Sequence, residues 1–452
     1  MFLKNKNISI VGGGLVGSLL SVFLKKQGAD VTVFDKRNDI RSSLYTGSRS
    51  INLALSNRGI QALEKMGISD SILKIAMPMY KRIMHDLNGN LTHQLYGQEN
   101  QAILSISRKM LNAQLINVAE ENGVNFNFGQ ECIAVDFNRT KLSFSNSSSF
   151  KSDFIFGSDG AGSVVRKLMK NSYPDLDAVE SFIGYGYKEL TIHANNGVHK
   201  LANNALHIWP RKSHMVIALP NLDGTFTCTL FAPLKGSNCA FDSLITNDDV
   251  NKFFTNYYCD LIDIVPDLVD QYFTNPLSSL GFVRCSSWKK KNVFLIGDAC
   301  HATVPFYGQG MNSGFEDCYL LNEWLDKYHD LNHDNINQFL NQRIIDTTAM
   351  QDLSMMNHIE MRDKTSDPAF LLQKKVEKWF SDKYPSKWTP LYSMVTFSHM
   401  GYEDAMRKGR IQHDIMHDIM KANKLCYDFN VNELLEKRIA EQILEKLNNL
   451  KP

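Results

Sequence analysis

At 452 residues the chain is long for one ordinary domain and has room for two or three. An apolar share of 43% beside 21% charged residues excludes a disordered chain. The 49 Lys and Arg nearly cancel the 48 Asp and Glu, so no global field draws the chain to nucleic acid or an anionic membrane.

The N-terminus imitates a targeting signal, because no charge follows Lys4 and Lys6 until Lys25. Gly12, Gly13, Gly14 and Gly17 break that run, and no small-residue cleavage site follows it. A strand over 7–11, a glycine turn and a helix over 15–27 closed by Gly28 account for every residue. A second strand over 30–34 ends at Asp35 and completes a βαβ start. Helices are predicted over 61–75 and 109–123, and strands over 126–128, 132–137, 141–144 and 154–156. From 184 to 231 the pattern alternates as in an antiparallel sheet, with turns at 210–211 and 221–224. A buried strand over 293–296 precedes Gly297-Asp298 and a helix from about Gly310. Beyond about 335 the pattern is helical to the end. The last helix carries Leu434, Leu435, Ile439, Ile443, Leu447 and Leu450 near one face, which reads as packing on its own protein.

No other apolar run approaches the roughly 18 residues of a membrane span, so a soluble, cytoplasmic protein is expected. The eight cysteines (132, 228, 239, 259, 285, 300, 318 and 426) fit neither a zinc site nor a disulfide scaffold. They read as small buried hydrophobes in a reducing compartment. His413 and His417 stand at i, i+4 without a third ligand, so a solvated helix face is expected and no metal.

Three motifs carry chemistry. The first is the G-x-G-x-x-G of Gly12, Gly14 and Gly17, around Leu15 and Val16, between a strand and a helix. Such a turn brings a pyrophosphate to a helix N-terminus, and Asp35 stands where a carboxylate accepts ribose hydroxyls. This motif does not separate FAD from NAD. The second can: strand 293–296, Gly297-Asp298, then Pro305-Phe306-Tyr307-Gly308-Gln309-Gly310-Met311-Asn312. A carboxylate there can hold a ribityl chain, and the following helix N-terminus would stabilise negative charge on a reduced flavin. The third, Gly157-Ser158-Asp159-Gly160, reads alone as a helix entry capped by Ser163 or Asp159.

In this order and spacing the motifs resemble the single-component flavoprotein aromatic hydroxylases of the 4-hydroxybenzoate hydroxylase type. Residues 47–56, 185–190, 204–210 and 392–398 narrow the resemblance to the kynurenine 3-monooxygenase family, over nearly the whole chain. The resemblance implies a Rossmann-like α/β FAD domain (1–75, 101–180, 281–345), an antiparallel-sheet substrate domain (76–100, 181–280) and a helical C-terminal region (346–452). It implies a substrate set of Arg82, Tyr96, Asn357 and Tyr392 for an amino-acid end. It also implies a flavin-side pocket of Pro305, Phe306 and Gln309 without an acid–base residue. Cofactor contacts are implied at Gly12, Gly14, Leu15, Val16, Gly17, Asp35, Lys36, Arg37, Ala54, Arg108, Asp298, Gly310, Met311 and Asn312. The implied reaction converts L-kynurenine to 3-hydroxykynurenine with FAD, O2 and NADPH through a C4a-hydroperoxyflavin. Tyr307 stands where the family varies between aromatic residues and histidine.

Eukaryotic members end in an apolar anchor, whereas this charge-rich ending is similar to the soluble bacterial type. No second G-x-G-x-x-G follows the first, so NADPH is expected to visit a shared cleft. Two rivals stay open: a hydroxylase of another aromatic such as a phenol, and a non-catalytic FAD-fold protein. The W-x-W-x-I-P signature of flavin halogenases is absent.

Overall fold

The computed structural model describes residues 2–42, 52–97, 101–236, 238–361, 368–423 and 433–449, with the side chains of 433 and 434 excepted. Residues 47–51 of the resembling stretch, Cys426 and Leu450 therefore lie outside it. A six-stranded sheet runs in the order Lys289–Lys290, Val293–Leu295, Phe154–Gly157, Asn7–Val11, Asp30–Asp35, Asn125–Phe128, parallel except for its first pair. Its central strands are apolar on both faces, as a sheet between helix layers requires, with Ile8, Ile10, Val31, Val33 and Ile155 essentially inaccessible. The helix Leu15–Lys26 returns the chain from the first strand to the second, and Gly28 takes the positive φ (97°) that ends it.

A seven-stranded sheet forms the second layer, in the order Ser278–Cys285, Ala178–Ile192, Phe226–Pro233, His214–Pro220, Ala205–Arg211, Lys81–His85, Leu91–Leu95. It departs from the expected antiparallel pattern at one seam, where Ala205–Arg211 pairs in parallel with Lys81–His85. The hairpin bearing Arg82 comes from a distant part of the chain, so strand direction at that seam is set by the crossover and not by a turn. Ala76–Met79 joins Ile103–Ile106 and Leu53–Leu55 in a small separate sheet.

The helix expected over 61–75 is two helices, Asn57–Met66 and Ser69–Leu73. Gly67 at φ 73° donates its N–H back to Glu64 and Leu63 carbonyls and closes the first. The C-terminal region is helical: Ile336–Ile359, Pro368–Lys383, Leu391–Thr396, Tyr402–Ala422 and Glu433–Asn449. Ile439 and Ile443 of the last helix are fully buried against Val376, Phe380, Trp388, Ile415 and Met416, so its apolar face packs within the chain. His413 and His417 face solvent. Cys132, Cys228, Cys285, Cys300 and Cys318 are buried, but Cys259 is exposed and Cys239 half-buried, against the expectation of uniform burial. Among the described residues no helix is long and apolar enough to cross a membrane.

Candidate active site

Val11, Gly157 and Leu295 sit side by side in register at the carboxyl ends of three adjacent parallel strands. Each is followed by one of the three motifs, so residues about 140 apart in sequence meet at one sheet edge, where open α/β sheets bind ligands. Gly12 takes φ 108°, and a Cβ there would lie 2.5 Å from the Ser158 carbonyl oxygen. Ser158 in turn donates its hydroxyl to the Gly12 carbonyl at 2.9 Å. At Gly17 a Cβ would run into the Gly12 carbonyl oxygen, so helix and turn touch only because glycine stands there. At Gly14 a Cβ would meet nothing within 4 Å, and the open side of the turn is there. The helix behind it has no side-chain cap. A cradle of backbone N–H groups with space in front of it suits a pyrophosphate.

Asp35 accepts from the Gly13 N–H at 2.8 Å and from Arg37 through Nε and Nη2 at 2.9 and 2.7 Å. Burial pushes its carboxyl up, but these donors outweigh it and hold it below the usual range. The expected ribose acceptor is thus ionised and anchored to the glycine turn, with the half-exposed Arg37 over it. Lys36 is exposed beside them. Arg108 is exposed in the first turn of Arg108–Glu121, capped by Ser107. That helix docks on the glycine turn through Asn112, whose Nδ2 donates to the Gly13 carbonyl at 3.2 Å, a contact the sequence did not announce.

Val16 ties the first motif to the second, since Cβ atoms at Gly297 and Gly314 would lie 3.0 and 2.6 Å from its methyls. Gly297 at φ 62° turns the chain into the short helix Asp298–His301, leaving Asp298 half-buried at the strand end. The helix Gly310–Tyr328 then begins without a side-chain cap, presenting Gly310 and Met311 at its first turn. The Asn312 side chain is engaged within the chain. Its Oδ1 accepts from the Ser56 N–H at 2.9 Å, and its Nδ2 donates to the Ala54 and Gly308 carbonyls, each at 2.8 Å. Its side chain is a staple holding Ala54 beside the turn, so only its backbone is left to a cofactor. A turn for a pyrophosphate, a carboxylate for a ribose and one for a ribityl chain, with a helix end beyond them, is a donor set that fits FAD.

Beyond the turn, three of the four substrate-set residues meet directly. The half-buried Arg82 has its guanidinium carbon 4.4 Å from the Tyr392 ring centroid and 4.9 Å from that of Tyr96. The two rings stack at 5.7 Å, and Tyr307 also stacks on Tyr392, at 5.5 Å. Burial works against the Arg82 charge, but the phenols of Tyr392 and Tyr96 outweigh it and raise its pKa. Burial also pushes the Tyr96 and Tyr307 phenols up, so both are neutral at pH 7. Among the described residues no carboxylate forms an ion pair with Arg82.

Asn357 joins through the turn, donating its Nδ2 to the Phe306 carbonyl at 2.6 Å. Phe306 lies between Phe231 (5.3 Å) and His358 (4.2 Å) in an apolar cluster with Met215, Leu280 and Val304. Pro305 opens that turn, and Gln309 is buried at its end, accepting from the Tyr402 hydroxyl at 3.0 Å. Tyr402 and its neighbour Arg58, whose guanidinium carbon lies 4.0 Å over the Tyr402 ring, were not found from sequence. Neither stands in a local motif.

A sequence model of the FAD binding domain matches residues 5–329. The kynurenine 3-monooxygenase of Christiangramia forsetii is 45% identical over 444 residues, covering 97% of this chain and 99% of that protein. The kynurenine 3-monooxygenase of Sus scrofa is 39% identical, over 92% of this chain and 88% of its own. Solved structures share the fold at low identity. Klebsiella pneumoniae HpxO complexed with FAD and uric acid superposes with a TM-score of 0.66 at 16% identity, over 90% of this chain and 97% of that one. The tetrameric form of 2-methyl-3-hydroxypyridine-5-carboxylic acid oxygenase gives 0.64 at 20%, over 81% and 95%. With relatives this similar along nearly its whole length, the chain belongs to the kynurenine 3-monooxygenase family of FAD-dependent aromatic hydroxylases.

Proposed function

We propose that the protein hydroxylates L-kynurenine at the ring carbon next to the amine, using O2 and NADPH. The observation that carries this reading is Arg82, a cation set among phenol rings with no carboxylate of the described chain paired to it. A guanidinium so placed calls for an anionic ligand, and an amino-acid carboxylate is the right shape for it. Because the Asn357 Nδ2 is committed to Phe306, its Oδ1 is the atom that would accept from the substrate ammonium. Tyr96 and Tyr392 flank the guanidinium and supply hydroxyl hydrogen-bonding groups. A simple phenol would leave this charge unanswered, which disfavours the rival aromatic substrate.

Bound FAD supplies the oxygen activation. The chain's part is to place the aminated ring, which is already nucleophilic beside its amine, and to keep water out. The cluster of Phe306, Phe231, Met215, Leu280 and Val304 provides the dry wall. Asp35, ionised at the ribose end of the glycine turn, would repel a 2′-phosphate, which supports NADPH docking elsewhere and only in passing. The free, mostly buried cysteines support a reducing, cytoplasmic setting. The test is NADPH oxidation by the flavin-loaded enzyme with and without L-kynurenine, with the product weighed by mass spectrometry. A gain of one oxygen atom, dependent on kynurenine, is expected. Stimulation by simple phenols in preference to kynurenine would overturn the substrate assignment.

A further inference from the structure

Arg58 is 1% exposed, on the helix Asn57–Met66 of the cofactor-binding layer, and all its partners come from elsewhere. Its Nε donates to the Val395 carbonyl at 3.1 Å, its Nη2 to the Met400 carbonyl, and its Nη1 to Glu316 Oε1 at 2.5 Å. The neighbouring Asn57 donates its Nδ2 to the Phe397 carbonyl at 3.1 Å. Two consecutive residues therefore hold three carbonyls of the segment that ends the helix Leu391–Thr396 and enters Tyr402–Ala422. Tyr392 lies on that short helix, one turn before Val395. Glu316 meets the buried charge of Arg58 and is itself bonded by Arg343 Nη1 at 3.1 Å, so the anchor sits in a paired network.

We propose that Arg58, helped by Asn57, is a positioning residue for substrate binding. It fixes the helix Leu391–Thr396 against the cofactor-binding layer so that Tyr392 stays in contact with both Arg82 and Tyr307. The proposal rests on the reading that Arg82 and Tyr392 hold the substrate. A helix of six residues has little stability of its own, and its orientation is set by what grips its ends. Arginine suits this task because its planar fork reaches two carbonyls and a carboxylate at once, whereas a lysine ammonium is a single point of attachment. The same guanidinium also covers the Tyr402 ring, whose hydroxyl is donated to Gln309.

The experiment is a double-mutant cycle on the FAD-loaded enzyme, reading kynurenine KM, kcat and FAD affinity. Arg58→Lys and Asn57→Ala should each raise KM by about 3- to 10-fold, the loss of one or two hydrogen bonds, with FAD affinity unchanged. In a Tyr392→Ala background the same changes should have almost no effect on KM, because the residue they position is gone. Equal effects in both backgrounds, additive within about twofold, would overturn the proposal and leave Arg58 as structural support only. If Arg58→Lys does not fold, Asn57→Ala carries the same cycle. Arg82→Met separates the two levels of the argument. An unchanged KM there overturns the substrate reading and the positioning role with it, while a raised KM beside additive Arg58 and Asn57 effects overturns positioning alone.

Discussion

The Arg82 guanidinium lies 4.4 Å from the Tyr392 ring centroid, although the two residues are 310 apart in the chain and belong to different layers. Packing of the C-terminal helices onto the seven-stranded sheet creates this contact, which brings the region beyond residue 346 to the candidate site. Arg82→Met keeps the bulk but removes the charge. Removing a charged partner from a desolvated site costs about 2–5 kcal/mol, so KM for kynurenine should rise roughly 30-fold or more with FAD content unchanged. Tyr392→Phe removes one hydroxyl and should cost about 0.5–1.5 kcal/mol. Steady-state kinetics on flavin-loaded variants checks both.

The glycine turn gives a sharper test because its positions differ in what surrounds them. Alanine at Gly14, where φ is −78° and the space is open, should leave the apo-protein's melting temperature unchanged and weaken FAD binding. Alanine at Gly12 meets the Ser158 carbonyl at 2.5 Å in a backbone conformation unfavourable to side chains, and should lower stability with or without FAD. Thermal melts of apo- and holo-protein distinguish the two. Equal losses at both positions would show that the open side of the turn is not the cofactor's.

Asp298 is expected to hold a ribityl hydroxyl. Asp298→Ala removes a charge-assisted hydrogen bond of about 1.5–3 kcal/mol, so flavin should dissociate roughly 10- to 150-fold more readily. Flavin fluorescence on dilution measures this. Full retention in the variant would count against the residue as a cofactor contact.

The parts of the site that were legible in the sequence are the local ones. Gly12, Gly14, Gly17, Asp35 and Asp298 are placed by a strand, a turn and a helix within a few residues, and periodicity reads those directly. Arg82 and Asn357 carry no local signature and became visible only through resemblance to a family. Arg58, Tyr402 and Asn112 were invisible for another reason: each is a polar residue buried by partners far away in the chain. Arg58 meets Glu316 across 258 positions, and nothing in the sequence near Asn57 announces a buried cation. The Asn312 staple shows the converse, a motif residue whose side chain is spent on the fold. The parallel seam at Lys81–His85 was likewise hidden, because alternation specifies a strand's faces and not its direction.

Two histidines in the second layer predict how the enzyme responds to acid. His207 is bonded to His85 at 2.9 Å and to the Ala202 carbonyl at 2.9 Å; His214 is bonded to the Tyr258 hydroxyl at 2.7 Å. Both rings are nearly inaccessible, and burial lowers each pKa from 6.5 to about 4. The unfolded chain therefore binds these protons first. Stability is level above pH 6.5 and falls as pH drops from 6.5 towards 4, by up to about 1.4 kcal/mol per pH unit for each histidine. Carboxylates held low, such as Asp35 and Asp317, lose their contribution only below about pH 3.8 and stay out of this window. Asp159 and Asp346, raised by burial, oppose the trend at its acid end. Urea unfolding midpoints measured from pH 8 to 4.5 should fall with acid, and His214→Gln should flatten part of that slope. An identical slope in the variant would show that burial does not lower the His214 pKa in the folded protein.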